Sequence, residues 1–334
     1  MRWPSAQILA LAVGCGSSAL LAAQAQAQGP SVPPSAPAPA VAGSLRLVIE
    51  HAHGKPAFAL VGERVVVRGI VTPFVAGQTV TVRFLRDGRV VGSKKVSVLS
   101  LPNGAGQFHL GYASHKPGVL RIEATHEPTP QMDAFAASSS SVRIAQTTLS
   151  AGASGPAVRL LQSELQALHY SVPLSGVFDE ATGRAVIAYR KMTGLDRVPA
   201  TDSHVFELLR RGAGKFHVRY PRDGKHVEAD LTRQVLAEVE PGGKVRRLYT
   251  ISSGKPSTPT VLGRYLVYEK TPGTNSEGMV DSNYFIRGYA IHGYAEVPTY
   301  AASHGCLRVP IPDAASIYAW VQIGTPVDVY YEGS

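Results

Sequence analysis

The hydrophobic period of this chain changes twice along its length, from two to the helical spacing and back to two, and this constrains the fold more than any bulk property does. Val80, Val82 and Phe84 alternate with Thr79, Thr81 and Arg83, the pattern of a half-buried strand. A β-branched run covers 64–71, and Leu120, Ile122 and Ala124 alternate again. Ala76-Gly77, Asp87-Gly88, Asn103-Gly104 and Pro117-Gly118 supply turns between these runs. Residues 149–212 differ: Val158, Leu161, Leu165 and Leu168 recur at helical spacing, a second helix is predicted over 182–192, and a third around Val205, Leu208 and Leu209. From Lys215 onward the alternation returns. The runs 235–239 and 245–251 flank Pro241-Gly242-Gly243-Lys244 as a hairpin, and strands are predicted over 263–268 and 327–331. A short helix is expected over 313–321, with Asp313 as its N-cap and Gly324-Thr325-Pro326 as its stop.

A chain of 334 residues with this pattern is multidomain, mainly β with helices concentrated in the middle. Short strands at regular spacing over 45–147 predict an antiparallel sandwich of immunoglobulin-like architecture, although no Cys…Trp…Cys core is present. The helical unit spans 149–213 and a mainly β domain with short helices spans 214–334. Ahead of them, Met1-Arg2, an apolar stretch over 8–23 and Ala25-Gln26-Ala27 have the order of a secretory signal peptide over 1–27. A transmembrane anchor, or lipidation at Cys15, would be the competing uses of that segment. Residues 28–44, rich in Pro, Ala and Ser, form an extended linker. The chain is expected to be exported, to the cell wall or the periplasmic or extracellular space, and to touch a membrane only through its signal peptide or an anchor.

The formal net charge of +9 favours an acidic partner. No Lys/Arg-dense run or aromatic-rich basic stripe is present, which argues against nucleic acid. His51 and His53 form a pair without further ligands and read as polar surface residues. Of two cysteines, Cys15 leaves with the signal peptide, so Cys306 stands alone. Outside the cytosol an unpaired thiol is buried and inert, an intermolecular link, or reactive.

Its neighbours narrow the choice. Ala290-Ile291-His292-Gly293 is followed by Pro298 and then by Ala302-Ser303-His304-Gly305-Cys306-Leu307-Arg308-Val309. A cysteine attacks acyl carbon as thiolate, and an imidazole can take its proton and return it to a leaving amine. Gly293 and Gly305 allow close backbone approach, and backbone N–H groups near Cys306 could stabilise an oxyanion. Zinc bound by His292, His304 and Cys306 lacks an evident fourth ligand. A buried cysteine among satisfied core histidines would explain any one of these residues, but not all of them together.

Two resemblances extend this. The helical unit resembles the small peptidoglycan-binding domain of wall enzymes through Gly155-x-x-Val158-x-x-Leu161-Gln162-x-x-Leu165, Gly176-x-Phe178-Asp179-x-x-Thr182 and Ala185-Val186, departing at Tyr189-Arg190. The C-terminal region resembles the L,D-transpeptidase (YkuD-like) catalytic family through His292-Gly293 and Ser303-His304-Gly305-Cys306-Leu307-Arg308. Ser252-x-Gly254-Lys255, Thr258-Pro259-Thr260 and Tyr284-Phe285 add support upstream. Val261-Leu262 before Gly263-Arg264-Tyr265 departs from the family pattern. The resemblance implies Cys306 as nucleophile and His292 as base, with Ser303, His304, Gly305, Arg308 and Gly293 shaping the pocket and oxyanion site. Tyr284, Phe285 and Tyr289 would lie toward the substrate. It implies a transpeptidase for peptidoglycan stem peptides and glycan that forms a 3→3 cross-link, is acylated by carbapenems, needs no metal or organic cofactor, and acts as a monomer. An L,D-carboxypeptidase using the same thioester, or an inactive wall-binding scaffold, are the alternatives.

Overall fold

The computed structural model describes residues 39–333, so the signal peptide and the linker as far as residue 38 lie outside the described residues. The first ten strands are β1 (Ser44–Glu50), β2 (Phe58–Leu60), β3 (Arg64–Thr72), β4 (Thr79–Arg86), β5 (Arg89–Ser97), β6 (Leu99–Ser100), β7 (Gly106–Ala113), β8 (Gly118–His126), β9 (Phe135–Ser138) and β10 (Val142–Ala145). They form one sheet of order β1-β3-β7-β6 and a second of order β2-β10-β8-β4-β5, with β9 also on β8. Only the β2–β10 pairing among them is parallel. Period two is realised literally: Val80, Val82 and Phe84 are buried and join Val65, Val67, Leu120 and Ile122 in one core.

Three helices follow, α1 (Pro156–Ala167), α2 (Glu180–Met192) and α3 (Ser203–Arg210). Asp179 caps α2 by accepting from the Thr182 N–H at 2.8 Å, and Asp202 caps α3 by accepting from the Val205 N–H at 2.9 Å. Val158, Leu161, Leu165, Val186, Tyr189 and Leu209 close the helical core. That core does not stop at the helices. It continues into Phe58 and Leu60 on one side, and into Val235, Ala237 and Leu248 on the other.

The C-terminal part comprises β11 (His226–Asp230), β12 (Val235–Glu240), β13 (Lys244–Thr250), β14 (Gly263–Leu266), β15 (Glu269–Thr274), β16 (Val280–Ile286), β17 (Tyr289–Tyr294), β18 (Leu307–Pro310), α4 (Ile311–Trp320) and β19 (Pro326–Tyr330). One sheet has the order β13-β12-β11-β19-β14, the other β15-β16-β17-β18. β12 is buried from Val235 through Val239 because both of its faces are covered. Val235, Ala237 and Val239 face the helices, whereas Leu236 joins Val227, Ile291, Leu307 and Val309 in a second core beneath α4. The free edge of β13 is covered by the helical unit: Leu248 N–H donates to the His169 carbonyl at 2.9 Å, and Ser171 N–H to the Leu248 carbonyl at 3.1 Å.

One expected boundary is corrected. α4 begins at Ile311 after Pro310, and no side chain caps it. Pro312 sits in the first turn, where its missing N–H costs nothing, so the helix starts before Asp313. Asp313 is then a first-turn acid facing the helix dipole, and its carboxylate takes a 2.9 Å ion pair from Arg184 of α2.

Burial without full pairing marks Glu238. Its Oε2 meets the Arg246 guanidinium, its Oε1 has no hydrogen-bond partner, and burial pushes its pKa up to about 7 from 4.5. A carboxylate raised on folding stabilises the fold fully below its unfolded value and loses that contribution as pH rises through the folded value. Asp328, raised by burial to about 6, acts in the same direction. Thermal unfolding followed from pH 4.5 to 8 is therefore expected to show falling stability. Glu238→Gln should flatten the upper part of that slope by on the order of 2–3 kcal/mol; an unchanged slope would show that Glu238 is ionised throughout.

Candidate active site

β17 and β18 pair in parallel with Ile291 opposite Leu307, His292 opposite Arg308 and Gly293 opposite Val309. In a parallel pair, opposed residues share a face. Ile291, Leu307 and Val309 therefore point into the second core, while His292, Arg308 and Cys306 lie on the other face. Cys306 is the residue immediately before β18, and a hydrogen bond relates it to the Ala290 backbone. Its Sγ lies 3.7 Å from the Gly288 carbonyl oxygen. Fourteen residues of sequence separation thus become an offset of two positions along the paired strands, since His292 lies opposite Arg308.

The His292 ring is buried, and its Nδ1 lies 2.9 Å from the Gly293 carbonyl oxygen. A carbonyl oxygen can only accept, so Nδ1 carries the proton and Nε2 is left as the basic nitrogen. Burial lowers the His292 pKa, opposed by that hydrogen bond and assisted by the Arg308 charge. Burial raises the Cys306 pKa, and the Ala290 contact and Arg308 pull it back. The Arg308 guanidinium lies 4.1 Å above the Tyr294 ring. That ring in turn meets His292 edge-on at 5.7 Å.

The turn before Cys306 is held by one hydroxyl. Ser303 Oγ donates to the Cys306 carbonyl at 2.6 Å and accepts from the Gly305 N–H at 3.0 Å. Gly305 has φ +122, and a Cβ there would run into the Tyr289 ring, so both backbone conformation and space demand glycine. The segment 252–254 supports the turn from outside. Ser252 and Arg308 exchange backbone hydrogen bonds of 2.9 and 3.0 Å, and the Ser253 carbonyl accepts from the Ala302 and Ser303 N–H groups. Gly254 donates to Thr260 Oγ1 at 2.8 Å, and Thr258 Oγ1 donates to the Ser303 carbonyl at 3.0 Å. The residues of Ser252-x-Gly254-Lys255 and Thr258-Pro259-Thr260 are brackets for the cysteine loop.

The remaining expected residues fall in distinct places. His304 is exposed, with its Nε2 3.3 Å from Lys255 Nζ at the surface. Gly293 lies against α4, where a Cβ would meet Ala314 at 2.8 Å. Tyr289 lies over Gly305, and the Tyr284 hydroxyl pairs with Asn275. Phe285 is buried in the second core beside Tyr265, so its placement toward substrate is corrected: strand alternation turns it inward while Tyr284 stays half-buried. Sequence reasoning missed Ser253, Gln234 and Tyr294. Tyr294 could have been found, since β17 alternation puts it on the same face as His292. Gln234 holds Ser253 through two side-chain bonds of 2.6 and 2.9 Å, and no local pattern announces it. Beside Tyr294, a groove of about 510 Å³ runs between α2 and the loop after β17, lined by Ile187, Pro199, Val297 and Ile311 among others.

The model of the L,D-transpeptidase catalytic domain family (YkuD) matches residues 224–329, and the peptidoglycan binding domain model matches 154–198. Comparison with curated proteins gives no match. Among solved structures, the crystal structure of the L,D-transpeptidase from Xylanimonas cellulosilytica is 34% identical, covers 56% of this chain and 98% of its own, and has a TM-score of 0.51. An L,D-transpeptidase from Stackebrandtia nassauensis is 20% identical over 55% of this chain and 94% of its own, with a TM-score of 0.36. The catalytic domain of the Enterococcus faecium L,D-transpeptidase is 28% identical over 32% of this chain and 98% of its own, with a TM-score of 0.29. With the identity and coverage of the first of these structures beside the two family matches, the chain belongs to the L,D-transpeptidase family.

Proposed function

We propose that this chain is a cysteine-dependent L,D-transpeptidase acting on peptidoglycan, with Cys306 as nucleophile and His292 as its base. One observation carries the reading: the β17–β18 register puts His292, whose Nε2 is the basic nitrogen, in the strand paired with the one that Cys306 leads into. The Cys306 S–H proton passes to His292 Nε2 as sulfur attacks the carbonyl carbon of the third stem residue. The tetrahedral intermediate collapses, the C–N bond to the terminal D-Ala breaks, and the imidazolium returns the proton to the departing amine. An acceptor amine then attacks the thioester, loses a proton to His292, expels the Cys306 sulfur and leaves a 3→3 cross-link. The peptidoglycan binding domain match at 154–198 supports the wall polymer as partner.

The domain limits read from sequence accompany this proposal, with the chain exported to the wall or periplasm. No helix of the described residues is long and apolar enough to cross a membrane. The order β1-β3-β7-β6 against β2-β10-β8-β4-β5 supports an immunoglobulin-like reading of the first two sheets, because it parallels the ABED and CFG arrangement of that architecture.

Burial raises the thiol and lowers the imidazole, so the resting pair is neutral and proton transfer accompanies attack rather than preceding it. Alkylation of Cys306 by iodoacetamide is expected to rise with pH toward a midpoint above the ordinary thiol value. A plateau already reached at pH 6 would instead reveal a thiolate–imidazolium pair. Cys306→Ala should abolish donor turnover and the mass adduct formed with a carbapenem while leaving the melting temperature near that of the parent. His292→Ala should lower kcat about 100- to 10,000-fold. Full activity in Cys306→Ala would sink the mechanism. Donor stems incubated with and without acceptor, and resolved by mass, should give cross-linked dimer when acceptor is present; hydrolysed tripeptide alone would assign the carboxypeptidase reaction.

A further inference from the structure

A buried lysine amine is contributed by the helical unit to the root of the cysteine loop. Lys191, near the C-terminal end of α2, is 2% exposed. Its Nζ donates to the Gln234 carbonyl at 3.0 Å, to Thr250 Oγ1 at 2.7 Å and to the Ile251 carbonyl at 2.8 Å. Those three oxygens match the three N–H bonds of an ammonium, and none of them belongs to a carboxylate. Burying a cation without a counter-ion is costly, and burial pushes the Lys191 pKa down, so packing alone would have been better served by an apolar residue. A side chain retained at such cost points to what it holds.

What it holds is the root of the loop. Gln234 sits at φ +59, in the left-handed region that a side chain disfavours, and its carbonyl faces Lys191. From that position the Gln234 amide bonds both the Ser253 hydroxyl and the Ser253 N–H. The Ser253 carbonyl accepts from Ala302 N–H at 2.8 Å and Ser303 N–H at 2.9 Å, and the Ser303 hydroxyl ties Gly305 to Cys306. An unbroken run of hydrogen bonds therefore leads from the helical unit to the backbone of Cys306. We infer that Lys191 is a positioning residue for the Cys306 loop, so that the helical unit sets the geometry of the thiol as well as supplying a surface for the wall. This rests on the reading of Cys306 as nucleophile.

The test uses the full chain. Lys191→Met keeps the length and removes the three donors. It should lower kcat for donor turnover about 10- to 100-fold, well below the melting temperature, with KM changed less than about twofold. The rate of Cys306 alkylation at fixed pH should shift with kcat. Gln234→Gly suits the left-handed backbone and leaves the carbonyl facing Lys191, but cuts the link to Ser253, so it should reproduce both changes even if Lys191→Met fails to fold. Arg184→Ala breaks the separate α2–α4 ion pair and should leave kcat alone. Wild-type kcat and alkylation rate in the folded variants, whatever their melting temperatures, would overturn the inference, as would an equal loss in Arg184→Ala. Alkylation needs no peptidoglycan, so failure of acyl transfer in the parent chain and failure of this strut give separate results.

Discussion

The structure depends on the parallel pairing of β17 with β18. Two strands joined by a short loop pair antiparallel far more readily, because a parallel return requires the chain to travel back the full length of the strand. Here residues 295–306 make that journey without a helix of their own, so the return must be held from outside. The backbone exchange between Ser252 and Arg308 occupies the second edge of β18, and the Ser253 carbonyl holds two successive N–H groups of the returning loop. The reward is chemical. The parallel register places residue 292 beside residue 308, at the end of β17 from which the chain must return to reach β18.

The same constraint accounts for the unusual burial of the sheet. β12 contributes alternate residues to two cores, one shared with the helical unit and one beneath α4. Segments that read as separate domains along the sequence are therefore not separate in their packing. The apolar residues Val235, Ala237, Val239 and Leu248 would be exposed without α1 and α2. Arg184 and Arg197 reinforce the junction from the helical side, reaching Asp313 and the Thr299 carbonyl, the latter on the loop that leads to Cys306.

What was legible in the sequence was local. Period two in Val80, Val82 and Phe84, helical spacing in Val158, Leu161 and Leu165, and the Gly-Gly hairpin between β12 and β13 each follow from neighbours a few residues apart. The residues around Cys306 stood out because His292, Ser303, His304 and Arg308 lie close to it in sequence. Less legible was anything set by distant partners. Asp313 looked like a cap, yet Pro312 moved the helix start forward and Arg184, far away in sequence, claimed the carboxylate. Phe285 looked available beside Tyr284, and strand alternation sends it into the core. Lys191 is a basic residue in the last turn of α2, where solvent is the ordinary destination. Its burial depends on Gln234, Thr250 and Ile251, which no window of local sequence contains.

The electrostatics of the site follow from the same architecture. The Arg308 charge acts on both the Cys306 thiol and the His292 imidazole. That charge is partly engaged by the Tyr294 ring, whose edge also packs on His292. Burial outweighs the cation at Cys306 and acts together with it at His292, so both shifts favour the uncharged thiol and imidazole. A neutral thiol is protected from adventitious oxidation, since reactivity follows thiolate character. Under the proposed mechanism, such a thiol becomes nucleophilic when a bound carbonyl and the His292 Nε2 act together. The parallel strand pair that brings these groups to one face is thus also what allows them to wait uncharged.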